Sequence, residues 1–344
     1  MIDWVDFVAP LAHEVGTSSP FYAGEVMATT ATGELDWGIY KRMALEGSHS
    51  AKIQIRSAAM DDGRQAVRVS GNLVKWFQGH NIFGTDDLAG LVLETLSRVC
   101  IEGGITATPD EIQAWKAGDI ELMRVDVTQS TDFGTLPRVF NALRSLDATA
   151  NLKFRGRGQF NGHSLLFGKG SRHWSLTLYS KGAEIEKHKL PHSLAETSLT
   201  AHAQGLLRME CRLLSMHLKR LNLDKLSSWG DNTASEVHQK HLEQLSISDT
   251  TMLEPASLEQ LKPQLRAAYQ LWKDGHDLRG MFSRPTFYRY RTQLLALGVD
   301  ISVRQDREES NVVPIGVVLV GKPVGIPDWA VNSPLFFEPR YNAL

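Results

Sequence analysis

One tyrosine, Tyr179, stands in the segment LTLYSKGAEIEKH (176–188), and no other occurs between Tyr40 and Tyr269. Lys181 follows two residues on, and Glu184 and Glu186 lie just behind. A phenol oxygen can attack phosphorus and form a covalent ester. Its free pKa is about 10, so it needs a base, a metal or cations beside it to react. The plainer role for such a tyrosine is to fill a half-buried position in a sheet.

Two other segments offer partners. Side chains alternate across a strand. In ELMRVDVT (121–128) that puts Met123, Val125 and Val127 on one face and Arg124, Asp126 and Thr128 on the other. LLRMECRLL (206–214) separates Leu207, Met209, Cys211 and Leu213 from Arg208, Glu210 and Arg212. WSLTLYSK (174–181) sets Trp174, Leu176 and Leu178 against Ser175, Thr177, Tyr179 and Lys181. Side by side, the three strands would gather their polar faces into one surface. Carboxylate oxygens there are hard ligands for Mg2+ or Mn2+. Lys181 and the arginines would stabilise a phenolate and a pentavalent transition state. Taken alone, an Arg–Asp alternation is an ordinary cross-strand ion pair; the constellation is what points to phosphodiester chemistry.

Other constellations are weaker. His188 and His192 are four apart, but Pro191 breaks the helix that would align them. There is no Cys-x-x-Cys pair for zinc and no nucleophile elbow. GKGS (168–171) lacks the spacing of a phosphate loop and reads as a basic hairpin turn.

The elements that must position these residues follow from the pattern. AKIQIRSA (51–58) and QAVRVSG (65–71) form a hairpin across a turn containing Asp-Gly. SLLFGK (164–169) is a further strand. Helices are expected at 86–98, with Thr85 as N-cap and Asp86 and Asp87 in the first turn, at 135–146 and at 258–273. The fold class is α+β, a largely antiparallel sheet with helices packed on it. Ser, Thr and Pro in 245–263 set a domain boundary near 250, giving domains 1–250 and 251–344. The second is smaller and helical. Its segment 276–301 reads as a short helix, a turn, then a helix with Pro285 in the first turn, Phe287, Leu294 and Leu295 as a stripe, and a stop at Gly298. Apolar strands around 311–323 would follow. Arg284, Arg289 and Arg291 sit where the recognition helix of a (winged) helix-turn-helix touches DNA. An arginine-rich helical hairpin of no special purpose would look the same.

The 344 residues are 42% hydrophobic and 22% charged, with net charge −2, an ordinary globular balance. Local charge says more. No acid lies between Asp147 and Glu184, where Lys153, Arg155, Arg157, Lys169, Arg172 and Lys181 fall, nor between Asp277 and Asp300. Such basic faces attract phosphate backbones, unless neighbouring acids balance them. No apolar run is long enough to span a membrane, and the first residues lack the basic region of a signal peptide. Cys100 and Cys211, the two cysteines, sit in apolar patterns and read as buried thiols of a reducing cytoplasm.

Six blocks, in order and spanning nearly the whole chain, resemble the gene II replication initiators of filamentous bacteriophages. They are VKWFQGHNIFGTDDLA (74–89), LMRVDVT (122–128), SRHWSLTLYSKGAEIEKH (171–188), GLLRMECRL (205–213), SRPTFYRYRTQLLALGV (283–299) and NVVPIGVVLVGKPVGIPDW (311–329). The resemblance implies an enzyme that nicks one strand of a duplex origin and becomes joined to the 5′ phosphate through tyrosine. The free 3′ hydroxyl then primes rolling-circle synthesis, and the displaced strand is later rejoined. The first domain would be the nicking and strand-transfer endonuclease, the second a DNA-binding domain. The implied nucleophile is Tyr179, with Lys181 assisting. Many rolling-circle nickases bind their metal through His-x-His, and no such pair occurs here. Asp126 and Glu210 are then the first choice for Mg2+ or Mn2+, with Glu184 and His80 second. Arg124, Arg208 and Arg212 would hold flanking phosphates. Lys153, Arg155, Arg157, Lys169 and Arg172 would guide single-stranded DNA, with Trp174, Phe160 or Phe167 as stacking platforms.

The expected partners are supercoiled origin duplex and its exposed single strand, with a host replicative helicase and single-strand-binding protein, in the bacterial cytoplasm. Two rival readings remain: a non-catalytic origin-binding or repressor protein that uses 276–301 alone, and a plasmid-mobilisation relaxase with the same chemistry.

Overall fold

A computed structural model describes residues 1–153, 155–247, 258, 261–274, 276–297, 299, 301–302 and 323–340. Nine strands form one sheet: β1 (Ile2–Pro10), β2 (Met43–Glu46), β3 (Lys52–Ala59), β4 (Gln65–Gly71), β5 (Glu121–Asp132), β6 (Gln159–Phe160), β7 (Ser164–Phe167), β8 (Trp174–Ser180) and β9 (Leu206–Leu214). Their order is β6-β7-β8-β9-β5-β1-β4-β3-β2, and every neighbouring pair is antiparallel. The expected α+β class with a largely antiparallel sheet is what the chain adopts. The three candidate strands are direct neighbours, and β1 lies beside them.

Strand alternation gives the sheet two unlike faces. On one, Val5, Val69, Val125, Leu176 and Cys211 pack with Leu91 and Leu96 of helix Leu88–Gly103, Leu143 of helix Leu136–Thr149 and Val237 of helix Thr233–Leu242. Cys100 and Cys211 are buried free thiols. The other face carries the charged residues. One expectation is reversed at β5. A register shift against β1 between Asp6 and Phe7 sends Leu122 into the main core, while Met123 joins Val8, Met60 and Ala66. A bulge of this kind sets two residues opposite one, so Met123 leaves the face of Val125 and Val127.

Local chemistry sets the boundaries. The hairpin of β3 and β4 turns at Gly63, φ 85°, closed by Met60 N–H to Arg64 O at 2.9 Å. The helix expected at 86–98 starts at Leu88, with Asp87 rather than Thr85 as N-cap; the Asp87 side chain accepts from Gly90 N. The Thr85 hydroxyl instead accepts from Asp87 N at 3.0 Å. The turn between β7 and β8 holds Gly168 at φ 75°, where a Cβ would lie 2.1 Å from Arg155 Nη1.

Three helices, Pro263–Lys273, Leu278–Met281 and Arg284–Leu295, share a separate core of Leu265, Tyr269, Trp272, Leu278, Phe287 and Leu294. Leu295, expected in that stripe, is exposed, because Phe287 and Leu294 lie two turns apart on one face and Leu295 is rotated off it. The helix stop at Gly298, the strands at 311–322 and the boundary at 250 lie outside the described residues. Part of the expected domain 251–344 lies against the large one. Residues 323–340 pack on the large domain: Val324 N donates to Ser130 O at 2.8 Å, and Phe337 stacks on Phe77 with centroids 4.1 Å apart. Among the described residues no helix is long and apolar enough to cross a membrane.

Candidate active site on the polar sheet face

Register assembles the site. Tyr179 of β8 faces Arg208 of β9, and Thr177 faces Glu210. On the other side of β9, Arg208 faces Ser130, Glu210 faces Thr128 and Arg212 faces Asp126. Trp4 and Asp6 of β1 then face Asp126 and Arg124. Directly opposed residues share a face, so Tyr179, Glu210, Asp126 and the arginines lie on one surface.

Charges on this surface are tightly interlocked. Asp126 is 1% exposed and accepts from both Arg124 Nε, at 2.8 Å, and Arg124 Nη2. Arg212 Nε lies 3.4 Å from Asp126 Oδ2, and its Nη2 lies 3.3 Å from Glu210 Oε1. Arg124 rests on the Trp4 ring at 4.8 Å. Burial raises the Asp126 pKa against the pull of Arg124. Burial, then the Asp126 and Asp3 carboxylates, pushes Glu210 up to about 7. Burial also holds the Tyr179 phenol well above its ordinary value, with the Arg208 charge opposing. The phenol is therefore held in its neutral form.

A second cluster adjoins the first. Ser180 caps helix Lys181–His188, its hydroxyl accepting from Ala183 N at 3.2 Å. Lys181 opens that helix instead of ending β8. Its buried Nζ donates to Asn81 Oδ1 at 2.7 Å and pairs with Glu184 Oε2 at 2.6 Å. Burial, then the Arg208 charge, lowers Lys181 to about 8. Asn81 Nδ2 donates to Asp3 Oδ1 at 2.8 Å, and Asn72 Nδ2 donates to the same oxygen at 2.7 Å. Asn81 thus holds an acid and a base with its two side-chain ends. Asp3, Asn72 and Asn81 are absent from the residues that the sequence nominates. The block 74–89 is distinctive in the sequence, but its histidine stands out there and its asparagine does not.

Two expected roles do not fit this geometry. His80 is fully buried. Its Nε2 lies 2.8 Å from Leu335 O, and Ile82 N donates to Nδ1 at 3.3 Å. Both ring nitrogens serve the backbone, which leaves neither free to ligate a metal; burial separately lowers its pKa to about 4. Arg208 is 0% exposed and donates to Ser130 Oγ and to the carbonyls of Asn81 and Ile82, so it holds a loop and reaches no flanking phosphate. Glu184, engaged by Lys181, lies in the first turn of the helix beside the site. Among the described residues no three His, Cys, Asp or Glu side chains form a ready metal cage.

The chain matches two family models of the phage replication-associated protein known as the gene II protein: residues 1–232 match its N-terminal family, and residues 258–335 match its C-terminal family. The replication-associated protein of this name from Enterobacteria phage I2-2 is 34% identical over 337 residues, 95% of each chain. The chain belongs to the phage replication-associated protein family. A solved rolling circle replication initiator protein from Geobacillus stearothermophilus aligns over 89% of this chain and 98% of its own, at 10% identity and TM-score 0.36.

The expected DNA-facing residues of this replication-associated family member divide by exposure. Lys153, Lys169, Arg172, Arg284 and Arg289 are exposed or partly so; Arg157 and Arg291 are half-buried. Arg155 is tied down, donating to Trp174 O at 2.6 Å and lying 4.6 Å over the Trp174 ring. Trp174 and Phe167, 6% and 1% exposed, are core residues that cannot stack on a base, because their strand positions face the helices. Phe160 is half-buried.

Proposed function

We propose that this phage replication-associated protein initiates rolling-circle replication by nicking one strand of a duplex origin through a tyrosine ester. One observation carries the reading: β8, β9 and β5 are adjacent and place Tyr179, Glu210 and Asp126 on one face. Tyr179 Oη attacks the scissile phosphorus and forms the P–O bond. The bond to the 3′ oxygen breaks, that oxygen takes a proton to become the primer hydroxyl, and the phenol proton passes to water. The ester keeps the energy of the broken linkage, so a later 3′ hydroxyl can displace the tyrosine and reseal the strand without ATP.

Asp126 and Glu210 would hold the Mg2+ or Mn2+ ion. The donor set fits: both are hard oxygen donors, and burial, with the Asp126 and Asp3 carboxylates adding to it, raises Glu210. Such an ion keeps water and phosphate oxygens in its shell, so two carboxylates suffice. When bound, it supplies charge neutralisation at the phosphate. Arg124 and Arg212 orient the two carboxylates, and the half-exposed Arg212 is placed to meet a phosphate. Lys181, Asn81 and Asp3 hold charge and hydrogen bonds behind the tyrosine. The exposed arginines of 284–295 would contribute origin contacts in the host cytoplasm.

Incubation with supercoiled origin plasmid and Mg2+ should give a covalent protein–DNA adduct, and Tyr179→Phe should lose it while still shifting the origin fragment. An adduct formed by the phenylalanine variant would overturn the assignment.

A further inference from the structure

The polar face continues past β1. Arg68 of β4 faces Val8 of β1, and Arg56 of β3 faces Arg68 directly. Both arginines therefore lie on the face of Tyr179, Asp126 and Arg124. Like charges directly opposed across two strands repel. Arg68 is compensated: its Nε and Nη2 each lie 2.8 Å from an Asp6 carboxylate oxygen. Arg56 has no such relief. Its Nε is buried without a hydrogen-bond partner. Among the described residues, the charges acting on it are Arg68 and Arg42, both repulsive, with Asp6 in opposition and already held by Arg68. Arg42 is exposed, just before β2.

An unmet buried donor is costly, and more so when it is charged. A fold that keeps Arg56 between two other guanidinium groups is arranged for an anion that is present only in a complex. Planar guanidinium forks suit phosphate oxygens in particular. The cluster is also well separated from the tyrosine. From β8 to β3 the sheet crosses β9, β5, β1 and β4, a span of about 24 Å at the usual strand spacing, or about seven base pairs of duplex at its axial rise.

We propose that Arg42, Arg56 and Arg68 form a second phosphate subsite, which grips the backbone of duplex DNA about seven base pairs from the scissile phosphate. The open sheet face is then a track, with the Tyr179 site at one end and this clamp at the other. The proposal rests on the nicking reading for its direction along the DNA, but its binding contribution stands independently.

The test measures equilibrium binding against salt concentration for the full chain, with a labelled random-sequence duplex of about 30 base pairs, long enough to cross the face, and with the matching single strand. Arg56→Gln should bind the duplex severalfold more weakly and lower the salt slope by about 1. Arg56→Lys should recover part of the affinity. The urea midpoint of Arg56→Gln should equal or exceed that of the parent, because repulsion is relieved. Unchanged duplex affinity and slope, or a loss confined to the single strand, overturns the proposal. Adduct formation measured alongside separates the two ideas: loss of the adduct only in Tyr179→Phe leaves the nicking reading intact whatever Arg56 does.

Discussion

Tyr179 and Arg208 face each other directly across β8 and β9, and the arginine of the pair is wholly buried. The cation nearest the candidate nucleophile in register is thus a fixed strut with its donors spent on the loop 81–82. Its charge reaches the phenol as a field, while the more exposed Arg212 is the one that can meet a ligand.

That difference predicts opposite phenotypes. Arg208→Met should destabilise the fold by about 3 kcal/mol, because buried carbonyls lose a charged donor. Arg212→Gln, a partly exposed pair, should change stability by less than about 1 kcal/mol yet slow adduct formation. Urea unfolding and adduct yield on the same two proteins check this. Equal unfolding midpoints would contradict the strut.

Asn81 should behave as a positioning residue. Asn81→Ala leaves Lys181 Nζ and Asp3 Oδ1 each short of one partner. DNA affinity should be retained, while single-turnover adduct formation falls by about 10- to 100-fold, the usual effect of losing a residue that orients a site. Parallel losses in affinity and rate would point instead to a collapsed loop.

A buried histidine pair on the opposite sheet face predicts acid sensitivity. His217 Nε2 lies 2.8 Å from His241 Nε2, and His241 Nδ1 lies 2.6 Å from Val237 O. His241 therefore donates through Nδ1 and accepts through Nε2, and the pair shares one proton. Burial, then His241, His173, Arg220 and Arg155, lowers His217 from 6.5 to about 4, and burial lowers His238 to about 4 as well. Between these values the unfolded chain binds protons that the folded chain refuses. This histidine contribution is therefore full above about pH 6.5 and is lost as pH drops toward about 4, while Glu210, raised to about 7, acts in the opposite sense over the same range. The loss is about 3 kcal/mol for the deeply buried His238, and smaller for His217, which solvent screens more. Urea midpoints at pH 7 and pH 5 measure this, and His217→Phe should flatten the slope. An unchanged slope in that variant would contradict it.

Much of the candidate site was legible because strands obey a period of two. Arg124, Asp126, Arg208, Glu210, Arg212 and Tyr179 each declared a face, and neighbouring strands stacked those faces in register. Met123 was misplaced because a bulge breaks the period without marking the sequence. Asp3 was invisible because its importance depends on β1 lying beside β5, a pairing across more than a hundred residues. His80 and Arg208 were misjudged for one reason: sequence gives the chemistry of a polar group and not its burial, and burial decides whether that chemistry faces a ligand or the protein's own backbone. The strap 323–340 was unreadable, since short apolar and proline-rich text does not say which surface it covers.

The place of β1 in the middle of the sheet also sets a timetable. It lies between β4 and β5, yet β5 is synthesised more than a hundred residues after it, and β9 later still. At roughly 5–20 residues per second, β1 waits several seconds at least for β5. Tyr179 is made before the strand that carries Glu210. A ribosome-bound chain that stops short of β9 therefore has its tyrosine and the neighbouring β7, but not the strand that joins β8 to β5, so the face shared by Tyr179, Glu210 and Asp126 is complete only when β9 takes its place between them.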